Sequence, residues 1–394
     1  MNNSNPTNTY SDTSVAFSSR TNAELKKAHL LFSLMNYQKL TKVGTNFIKL
    51  AFGLRLPLKG LVKKTLFRQF CGGEDIAECT TTINKLAQFN IGTILDYSVE
   101  GEKTEKGFES TKNEIIRTIE AAHQNSHIPF SVFKVTGVAS FDTLQAVQQG
   151  KQPAGFEQAR QRVDQICARA HQHNVRLLVD AEESWIQGTI DQLVYEMMAK
   201  YNRQRPIIYN TFQMYRNDML ANLKQASAQA RQQGYYLGAK IVRGAYLEKE
   251  RQRAKELNYK DPTQPDKLAT DRDFNEAIKF CVANKAHMAL CCGSHNEYSN
   301  QLLTQLMQQQ GIDKQNPDFY FSQLYGMSDN ISFSLAKQGY NVVKYVPYGP
   351  VKAVLPYLFR RAEENTSIAG QSSRELNMIK NEIKRRKATA KNGA

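Results

Sequence analysis

Long apolar runs are missing from this sequence of 394 residues. None approaches the roughly 20 residues that a membrane-spanning helix needs. The N-terminal stretch MNNSNPTNTYSDTS also lacks the apolar centre of a secretory signal and the arginines of a transit peptide. We therefore expect a soluble or peripheral protein.

Cysteine is scarce and has no recognisable spacing. The six cysteines form no Cys-x-x-Cys pair, and Cys291 and Cys292 are adjacent, which does not suit a routine structural disulfide. His295 has no histidine or cysteine at the spacing of a metal ligand set. These features favour a reducing compartment and predict no metal site.

Acidic residues are absent from Leu25 to Gly73, where ten Lys or Arg are interleaved with apolar side chains. Over the whole chain 52 basic residues against 37 acidic ones give a net charge of +15, which favours an anionic partner. Two interpretations of this basic segment remain open. It forms either amphipathic helices on a membrane surface or a helical arm packed on the main domain.

Composition divides the chain into four parts. We expect a disordered tail rich in Asn, Ser and Thr over 1–20, then a basic helical arm over 21–90. A domain of alternating strands and helices follows over 91–370, and 371–394 forms a basic C-terminal tail.

The predicted domain contains eight short β-rich runs separated by amphipathic helical segments. They are IGTILDYS, FSVFKVTG, VRLLVDAE, PIIYNTF, YLGAKIVRG, HMALCCGS, DFYFSQLYG and NVVKYVPYG. Eight strand and helix pairs over about 275 residues predict an α/β protein with a (β/α)8 TIM barrel and an N-terminal helical arm. An open doubly wound sheet is the alternative, but its Gly-rich turn is absent after the first strand, where the sequence is VEGEK.

A barrel carries its chemistry at the carboxyl ends of its strands. The cations Lys134, Lys240 and Arg243 lie there, so the mouth should bind a phosphate or a carboxylate. Asp180 also lies there, although an Asp at this position is equally typical of a helix N-cap. The other polar residues at strand ends are Asp96, Glu182, Glu183, Asn210, Ser294, His295, Gln323 and Tyr345.

The helix predicted after the eighth strand has two adjacent arginines, in LPYLFRRAEEN. Tyr357, Arg360, Arg361 and Glu364 stand at i, i+3, i+4 and i+7 and therefore share one face. Two guanidinium groups beside an aromatic ring suit a carboxylate. The alternative is a surface helix with an Arg360–Glu364 ion pair.

Six motifs together resemble the proline dehydrogenase family: LVDAEES, KIVRGAYLEKER, GSHN, QLYGM, KYVPYGPV and LPYLFRRAEEN. They occur in the family's order between Lys134 and Asn365 and are closest to the stand-alone enzymes. The resemblance implies a distorted, flavin-binding (β/α)8 barrel. It also implies FAD-dependent oxidation of L-proline to Δ1-pyrroline-5-carboxylate, with electrons passed to a membrane quinone.

The resemblance assigns roles to residues of this chain. Arg360, Arg361 and Lys134 would bind the proline carboxylate. The ring would be lined by Tyr345, Tyr357, Ile241 and Leu324. Asp180 would organise hydrogen bonds near the flavin, and the remaining cofactor residues would be Asn210, Lys240, Arg243, Gly244, Tyr246, Lys267, Ser294, His295, Asn296 and Glu364.

This chain departs from the family pattern at a few positions. Asn210 aligns with a position where many bacterial relatives have glutamine, and Ser294 with one where they have threonine. Lys267 lies in a loop that varies among relatives. Tyr345 matches the tyrosine of relatives that prefer proline, since relatives that use hydroxyproline carry a small residue there.

Two other functions remain as alternatives. One is another flavin-dependent barrel enzyme, similar to methylenetetrahydrofolate reductase. The other is a non-enzymatic basic protein that binds membranes. For a proline dehydrogenase the expected partners are a quinone, an anionic membrane surface and a downstream pyrroline-5-carboxylate dehydrogenase, with no nucleic acid. The expected location is the cytoplasm, on the inner face of a bacterial membrane, or alternatively the mitochondrial inner membrane.

Overall fold

Eight parallel strands form a closed barrel in the computed structural model, which describes residues 10–35, 59–98, 102–367 and 371–392. The strands follow one another around the barrel in chain order, and the eighth pairs with the first. The predicted (β/α)8 barrel is therefore confirmed. The strands are β1 (Ile91–Tyr97), β2 (Phe130–Lys134), β3 (Arg176–Asp180), β4 (Ile208–Gln213), β5 (Leu237–Val242), β6 (Met288–Gly293), β7 (Phe319–Leu324) and β8 (Val342–Tyr348).

Helices precede the barrel, alternate with its strands and follow the last strand. In chain order they are α1 (Thr13–Ala16), α2 (Asn22–Met35), α3 (Lys59–Val62), a π-helical turn (Lys63–Phe67), α4 (Arg68–Phe70), α5 (Ile76–Ala87), α6 (Glu105–Gln124), a 3-10 turn (Val135–Gly137), α7 (Phe141–Gln148), α8 (Gly155–His173), α9 (Ser184–Tyr201), α10 (Met219–Gln233), α11 (Leu247–Glu256), α12 (Lys267–Ala283), α13 (Glu297–Gln309), α14 (Asp329–Lys337), α15 (Leu355–Ser367) and α16 (Gln371–Asn392).

Side chains along each strand alternate between the barrel interior and the layer under the helices. Tyr209 and Tyr345 belong to the interior cluster, whereas the neighbouring Ile208 and Val346 pack beneath the helices. Because both faces are covered, the strands read as nearly continuous apolar runs. The sequence therefore shows where a strand lies more clearly than which residues point inward.

The basic arm predicted over 21–90 is mostly helical where it is described, with a loop over 71–75, and it packs on the barrel. α2 buries Leu25 and Phe32 in a second apolar core, together with Phe70 of α4 and Leu358 of α15. These contacts support the packed-arm interpretation for the described residues. Residues 36–58 of the arm lie outside the part of the chain that the structure describes.

The two chain ends differ from the predicted tails. Within 10–20, Tyr10 and Phe17 are each 2% exposed, and the Asp12 carboxylate caps α1 by accepting the Ser14 N–H at 2.9 Å. The composition of this segment suggested a disordered tail because only a few apolar residues, such as Tyr10 and Phe17, anchor it. At the C-terminus α16 buries Ile379 against the second core. Its apolar stripe is narrow among many Lys and Arg residues, so the composition suggested a tail.

No helix within the described residues is both long enough and apolar enough to cross a bilayer. All six cysteines lie in the described part of the chain, and all are buried free thiols.

Candidate active site

Four side chains from four strands meet at the carboxyl end of the barrel. The ladder between β2 and β3 pairs Lys134 with Asp180, so these two residues lie side by side. Lys240 comes from β5 and Tyr345 from β8, and both point into the interior. The (β/α)8 topology thus brings together residues that are far apart in sequence.

Asp180 is the centre of this group. Its Oδ1 accepts a hydrogen bond from Lys240 Nζ at 2.6 Å, and its Oδ2 accepts from Lys134 Nζ at 3.0 Å and from the Tyr345 hydroxyl at 2.8 Å. Lys240 Nζ also lies 4.6 Å from the centre of the Tyr345 ring, a cation–π distance. The N-cap interpretation of Asp180 is wrong, because its side chain holds these three groups.

The surroundings of Asp180 keep it ionised. Burial acts to raise its pKa, but the ammonium groups of Lys240 and Lys134 outweigh burial and hold the pKa well below its usual range. Burial and the neighbouring Asp180 raise the pKa of Tyr345 well above its usual value. At neutral pH the phenol therefore keeps its proton and donates a hydrogen bond to the Asp180 carboxylate.

A second buried carboxyl, Asp96 at the end of β1, lies close to this centre. Burial raises its pKa, and the charges of Lys134 and Asp180 act on it as well. Ser98 donates a hydrogen bond to Asp96. A cavity of about 20 Å³ lies beside it, lined in part by Lys134 and Thr111. Such a volume suffices for about one water molecule among polar groups.

Glu182, two residues after Asp180, fixes the loop that follows Lys134. Its Oε1 accepts the Thr136 N–H at 3.0 Å, and its other oxygen accepts the Thr136 hydroxyl. Burial raises its pKa to about 7, despite these two hydrogen bonds. Gln213 at the end of β4 donates to the Glu182 backbone carbonyl at 2.7 Å. The loops after β2, β3 and β4 are thereby tied together.

The predicted carboxylate clamp lies on α15. Tyr357 and Arg361 are 6% and 7% exposed, Arg360 is half-buried, and the Arg361 guanidinium carbon lies 5.2 Å from the centre of the Tyr357 ring. Tyr357 and Arg361 therefore share one helix face, as their spacing of four residues predicts. Glu364 also lies on α15, at a position whose side chain is outside the description.

Tyr246 links the clamp with the strand ends. Burial raises the pKa of its phenol, and the positive charges of Lys134 and Arg360 both act on that phenol against the negative charge of Glu182. Tyr246 therefore lies within electrostatic reach of a clamp arginine and of a strand-end lysine. The charges of Lys134 and Arg360 thus both act on one phenol near the strand ends.

Arg243 organises a second polar region after β5 and β6. Its guanidinium donates to Asp271 Oδ1 at 2.6 Å, to Ser294 Oγ at 2.8 Å and to Ser299 Oγ at 3.0 Å. It also stacks on Phe274, with its central carbon 4.2 Å from the ring centre. The region thus combines a cation, hydroxyl groups and the N-terminus of α13, to which Ser299 belongs.

The predicted residues Ser294, His295 and Asn296 form the turn into α13. The Asn296 side chain caps this helix by accepting the Ser299 N–H at 3.1 Å, and the Asn296 N–H donates to Ser294 Oγ at the same distance. Backbone N–H groups at a helix N-terminus are ready donors to a phosphate.

Both ring nitrogens of His295 face the loop after β7. Nδ1 lies 2.8 Å from Ser328 Oγ, and Nε2 accepts the Leu324 N–H at 3.4 Å. Burial and the charge of Lys344 lower the pKa of His295 to about 3, so the ring is neutral.

Gly244 and Lys267 flank the same region. Gly244 has φ +124°, and a Cβ there would lie 1.7 Å from Tyr215 Cδ1, so the close approach of the backbone to Tyr215 requires glycine. Lys267, at the start of α12, pairs with Asp271, which also pairs with Arg243. Asp271 therefore joins the two cations that were predicted to contact the cofactor.

Two predicted site residues face away from the mouth. Asn210 donates to Asp191 on α9 at 2.8 Å, and Ile241 packs in the core beneath the helices. Their expected roles at the cofactor and the substrate are wrong, because they occupy the outward positions of β4 and β5. Leu324, by contrast, packs against the interior cluster and the second core, close to the clamp.

Gln213 and Thr211 were not predicted as site residues, although they alternate with Asn210 and so point inward on β4. A consistent two-residue period, with Tyr209 inside, would have found both. Ser328 and Asp271 were also missed, since nothing in their local sequence separates them from ordinary helix-start residues.

A family model described as proline dehydrogenase matches residues 79–374, three quarters of the chain. The chain belongs to the proline dehydrogenase family. The family's members are oxidoreductases, so the prediction from the six motifs is confirmed.

Curated relatives agree with this assignment. The chain is 35% identical to the mitochondrial proline dehydrogenase 1 of Dictyostelium discoideum, over 95% of this chain and 74% of that protein. It is 41% identical to the human mitochondrial proline dehydrogenase 1, over 58% of this chain and 39% of that protein. It is also 28% identical to the hydroxyproline dehydrogenase of Xenopus laevis, over 94% of this chain and 88% of that protein.

Solved structures show the same fold. Proline utilization A from Bdellovibrio bacteriovorus, inactivated by N-propargylglycine, superposes with a TM-score of 0.71 at 19% identity. The match covers 79% of this chain and 34% of that protein, so this chain spans about a third of its length.

Proposed function

We propose that this protein oxidises L-proline to Δ1-pyrroline-5-carboxylate with FAD and passes the electrons to a membrane quinone. The observation that carries the proposal is the group at the strand ends in which Asp180 binds Lys134 and Lys240. Arg360 and Arg361 follow the eighth strand on α15, and the charge of Arg360 acts on Tyr246 at these strand ends. Membership of the family supports proline as the substrate. No observation favours a folate-binding enzyme over this one.

The residues present fit a flavin nucleotide. Arg243 and Lys267, which both pair with Asp271, and the N-terminus of α13 bring together the positive charges and the helix N-terminus that suit a pyrophosphate. FAD would supply the acceptor for the hydride that leaves the proline ring carbon next to nitrogen. The chain itself supplies binding, orientation and electrostatics.

The clamp gives the substrate its orientation. Arg360 and Arg361 would each donate paired hydrogen bonds to the proline carboxylate, and Lys134 would add a third positive charge. Asp180 holds Lys134 and Lys240 in place, and Tyr345 and Tyr357 would bound the ring. Fixing a substrate in this manner lowers the barrier by restricting its approach to one geometry.

Asp180 does not act as the proton acceptor in this account. Its depressed pKa makes it a weak base, so its role is to position ammonium groups. The substrate nitrogen must lose its proton before hydride leaves, and activity should therefore rise on the alkaline side.

The quinone and membrane partners are proposed from the arm. On α2, Lys27, Leu30 and Leu34 share one face, and both leucines are more than half exposed. An exposed apolar stripe with lysines suits an anionic lipid surface. Relatives named as mitochondrial favour the inner mitochondrial membrane as the location, with a pyrroline-5-carboxylate dehydrogenase acting next.

The test is product formation by the purified full-length protein. With added FAD, L-proline and a short-chain ubiquinone, we expect Δ1-pyrroline-5-carboxylate and reduced quinone in equal amounts by mass spectrometry. D-Proline serves as the control substrate. If the protein binds FAD but forms no product with any acceptor, the proposal fails.

A further inference from the structure

Arg20 connects the N-terminal segment with the carboxyl end of the barrel. It lies between α1 and α2, and its side chain is 15% exposed. Its Nε and Nη2 donate to Asp329 Oδ2 at 3.1 Å and 2.9 Å. Asp329 is the first residue of α14, the helix that follows β7. A residue that precedes the whole barrel therefore binds the start of a helix near the mouth.

Asp329 also binds a cation of the barrel itself. Lys344 of β8 is fully buried, and its Nζ lies 2.9 Å from Asp329 Oδ1. The same ammonium group donates to the Met327 carbonyl at 2.6 Å. The charges of Lys344 and Arg20 outweigh burial and lower the pKa of Asp329, so the carboxylate is ionised at neutral pH. A buried cluster of this kind ties together the elements that contribute to it.

The basic arm makes a second contact with the residues between β7 and α14, which we call the β7 turn (residues 325–328). Gln69 of α4 donates from Nε2 to the Gly326 carbonyl at 2.8 Å, and its Oε1 accepts from Arg20 Nη1 at 3.3 Å. Gly326 has φ +78°, and a Cβ there would lie 2.0 Å from the Gln69 backbone oxygen. The arm therefore packs against the β7 turn at a distance that requires glycine.

The β7 turn and the residue before it hold His295 on both ring nitrogens. Ser328 Oγ lies 2.8 Å from Nδ1, and the Leu324 N–H donates to Nε2 at 3.4 Å. Ser328 has φ 50° and ψ 43°, a left-handed conformation that a non-glycine residue keeps only where its surroundings impose it. The orientation of His295 thus depends on what fixes Ser328.

Arg20 and Gln69 hold the backbone on either side of Ser328. Asp329, which Arg20 binds, directly follows Ser328, and Gly326, which Gln69 binds, lies two residues before it. The contacts therefore run from the N-terminal segment through the β7 turn to a residue of the predicted cofactor region.

We propose that Arg20 and Gln69 are positioning residues for the flavin nucleotide. They fix the β7 turn, and the β7 turn orients His295 beside the N-terminus of α13. Both residues precede residue 79, where the match to the family model begins. The proposal rests on the proposed FAD-dependent function, and it gives the segment ahead of the barrel a role in cofactor binding.

The first measurement is the FAD dissociation constant of the deflavinated full-length protein, from quenching of flavin fluorescence. Arg20→Ala should raise the constant about three- to tenfold, a range typical of coupling through such networks. Gln69→Ala leaves the bond between Arg20 and Asp329 in place and should raise it about two- to threefold. It keeps the test decisive if Arg20→Ala does not fold. Wild-type affinity in either folded variant would overturn the proposal.

Two matched controls separate positioning from general stability. Thr13→Val removes the hydrogen bond to Glu382, which anchors the same N-terminal segment to α16 instead of to the β7 turn. It should lower the melting temperature and leave FAD affinity unchanged. Arg68→Ala changes an exposed side chain next to Gln69 and should alter neither. Equal weakening of FAD binding by Thr13→Val and Arg20→Ala would contradict the proposal.

Hydrogen exchange of the apoprotein tests the same contacts without the cofactor. Amides of the β7 turn should exchange faster in Arg20→Ala and Gln69→Ala than in wild type, and Thr13→Val should leave them unchanged. Faster exchange combined with wild-type FAD affinity would show that the β7 turn does not position the cofactor, and the inference alone would fail. If the wild-type protein binds no FAD, the proposed function fails, and this inference fails with it.

Discussion

Asp180 is the residue whose removal should change the mouth most. Asp180→Asn leaves the ammonium groups of Lys134 and Lys240 buried without their carboxylate, so we expect a loss of about 3 kcal/mol in the free energy of unfolding at pH 7. The control is Asp164→Asn, which removes an exposed ion pair with Lys200 and should cost less than about 1 kcal/mol. Urea denaturation of both variants measures the difference.

The pH dependence of this effect follows from the sign of the pKa shift. The pKa of Asp180 is lower in the folded protein than in the unfolded chain, so its contribution to stability is complete above the unfolded value of about 4. It is lost as the pH falls further toward the folded value. The gap between wild type and Asp180→Asn should therefore narrow below pH 4, and a gap independent of pH would contradict the assigned pKa.

Arg361 is predicted to bind substrate without holding the cofactor. Arg361→Met should weaken proline binding by about 2 kcal/mol, which is roughly thirtyfold in KM, because the carboxylate loses a buried cationic partner. FAD should remain bound. Lys352→Met removes an exposed cation just before the same helix and serves as the control. Normal proline saturation in Arg361→Met would show that this arginine is not part of the clamp.

Tyr345 sets the expected choice between proline and trans-4-hydroxyproline. Its ring fills the barrel interior at 6% exposure and is held by Asp180, so an added ring hydroxyl on the substrate would meet it. The wild-type protein should have a much higher kcat/KM for proline. Equal values for the two substrates in steady-state assays would refute this role of Tyr345.

Individual site residues were predictable only where their spacing along a helix, or their position at a strand end, also fixes the direction of the side chain. Arg360 and Arg361 are adjacent on one helix, and Lys134 and Asp180 end neighbouring strands, so the sequence places them at one mouth. The predictions for Asn210 and Ile241 were wrong because both faces of a barrel strand are buried. Apolar content alone does not show which face points inward.

At the level of secondary structure, the eight strands were predictable because each is a short apolar run bounded by polar helical segments. The structured ends were not. α1 is only four residues long, and α16 is held by a few apolar contacts and by Arg386, which donates to backbone oxygens more than 360 residues away. Partners at such a distance leave no local signal in the sequence.

The exposed apolar face of α2 is predicted to contact anionic lipid. Leu30→Ser combined with Leu34→Ser should reduce sedimentation with anionic vesicles, because two apolar side chains are lost while the nearby lysines, each contributing about 1 kcal/mol at low salt, remain. Leu257→Ser, an equally exposed leucine elsewhere, is the control. Vesicle binding that is unaffected by the double substitution would exclude this face from membrane docking.

At the scale of the whole molecule, the basic residues behind the net charge of +15 have two roles, structural ion pairs in the arm and the cationic group at the barrel mouth. Several arm lysines are paired with acids of the same segment, as Lys63 is with Glu74 and Lys85 is with Glu24, so these charges hold parts of the arm to one another. At the mouth, Lys240 is buried and Lys134 is half-buried, and both are paired with Asp180. Overall charge therefore indicated anionic partners, but only the fold separates surface charge from the binding site.

The most direct test of the account is an anaerobic titration of the purified, FAD-loaded protein with L-proline, followed by flavin absorbance near 450 nm. We expect the absorbance to bleach as proline saturates the protein, and we expect Arg361→Met to retain the flavin spectrum but to require roughly thirtyfold more proline. A protein that holds FAD but shows no proline-dependent bleaching would contradict the central claim that this mouth binds and oxidises proline.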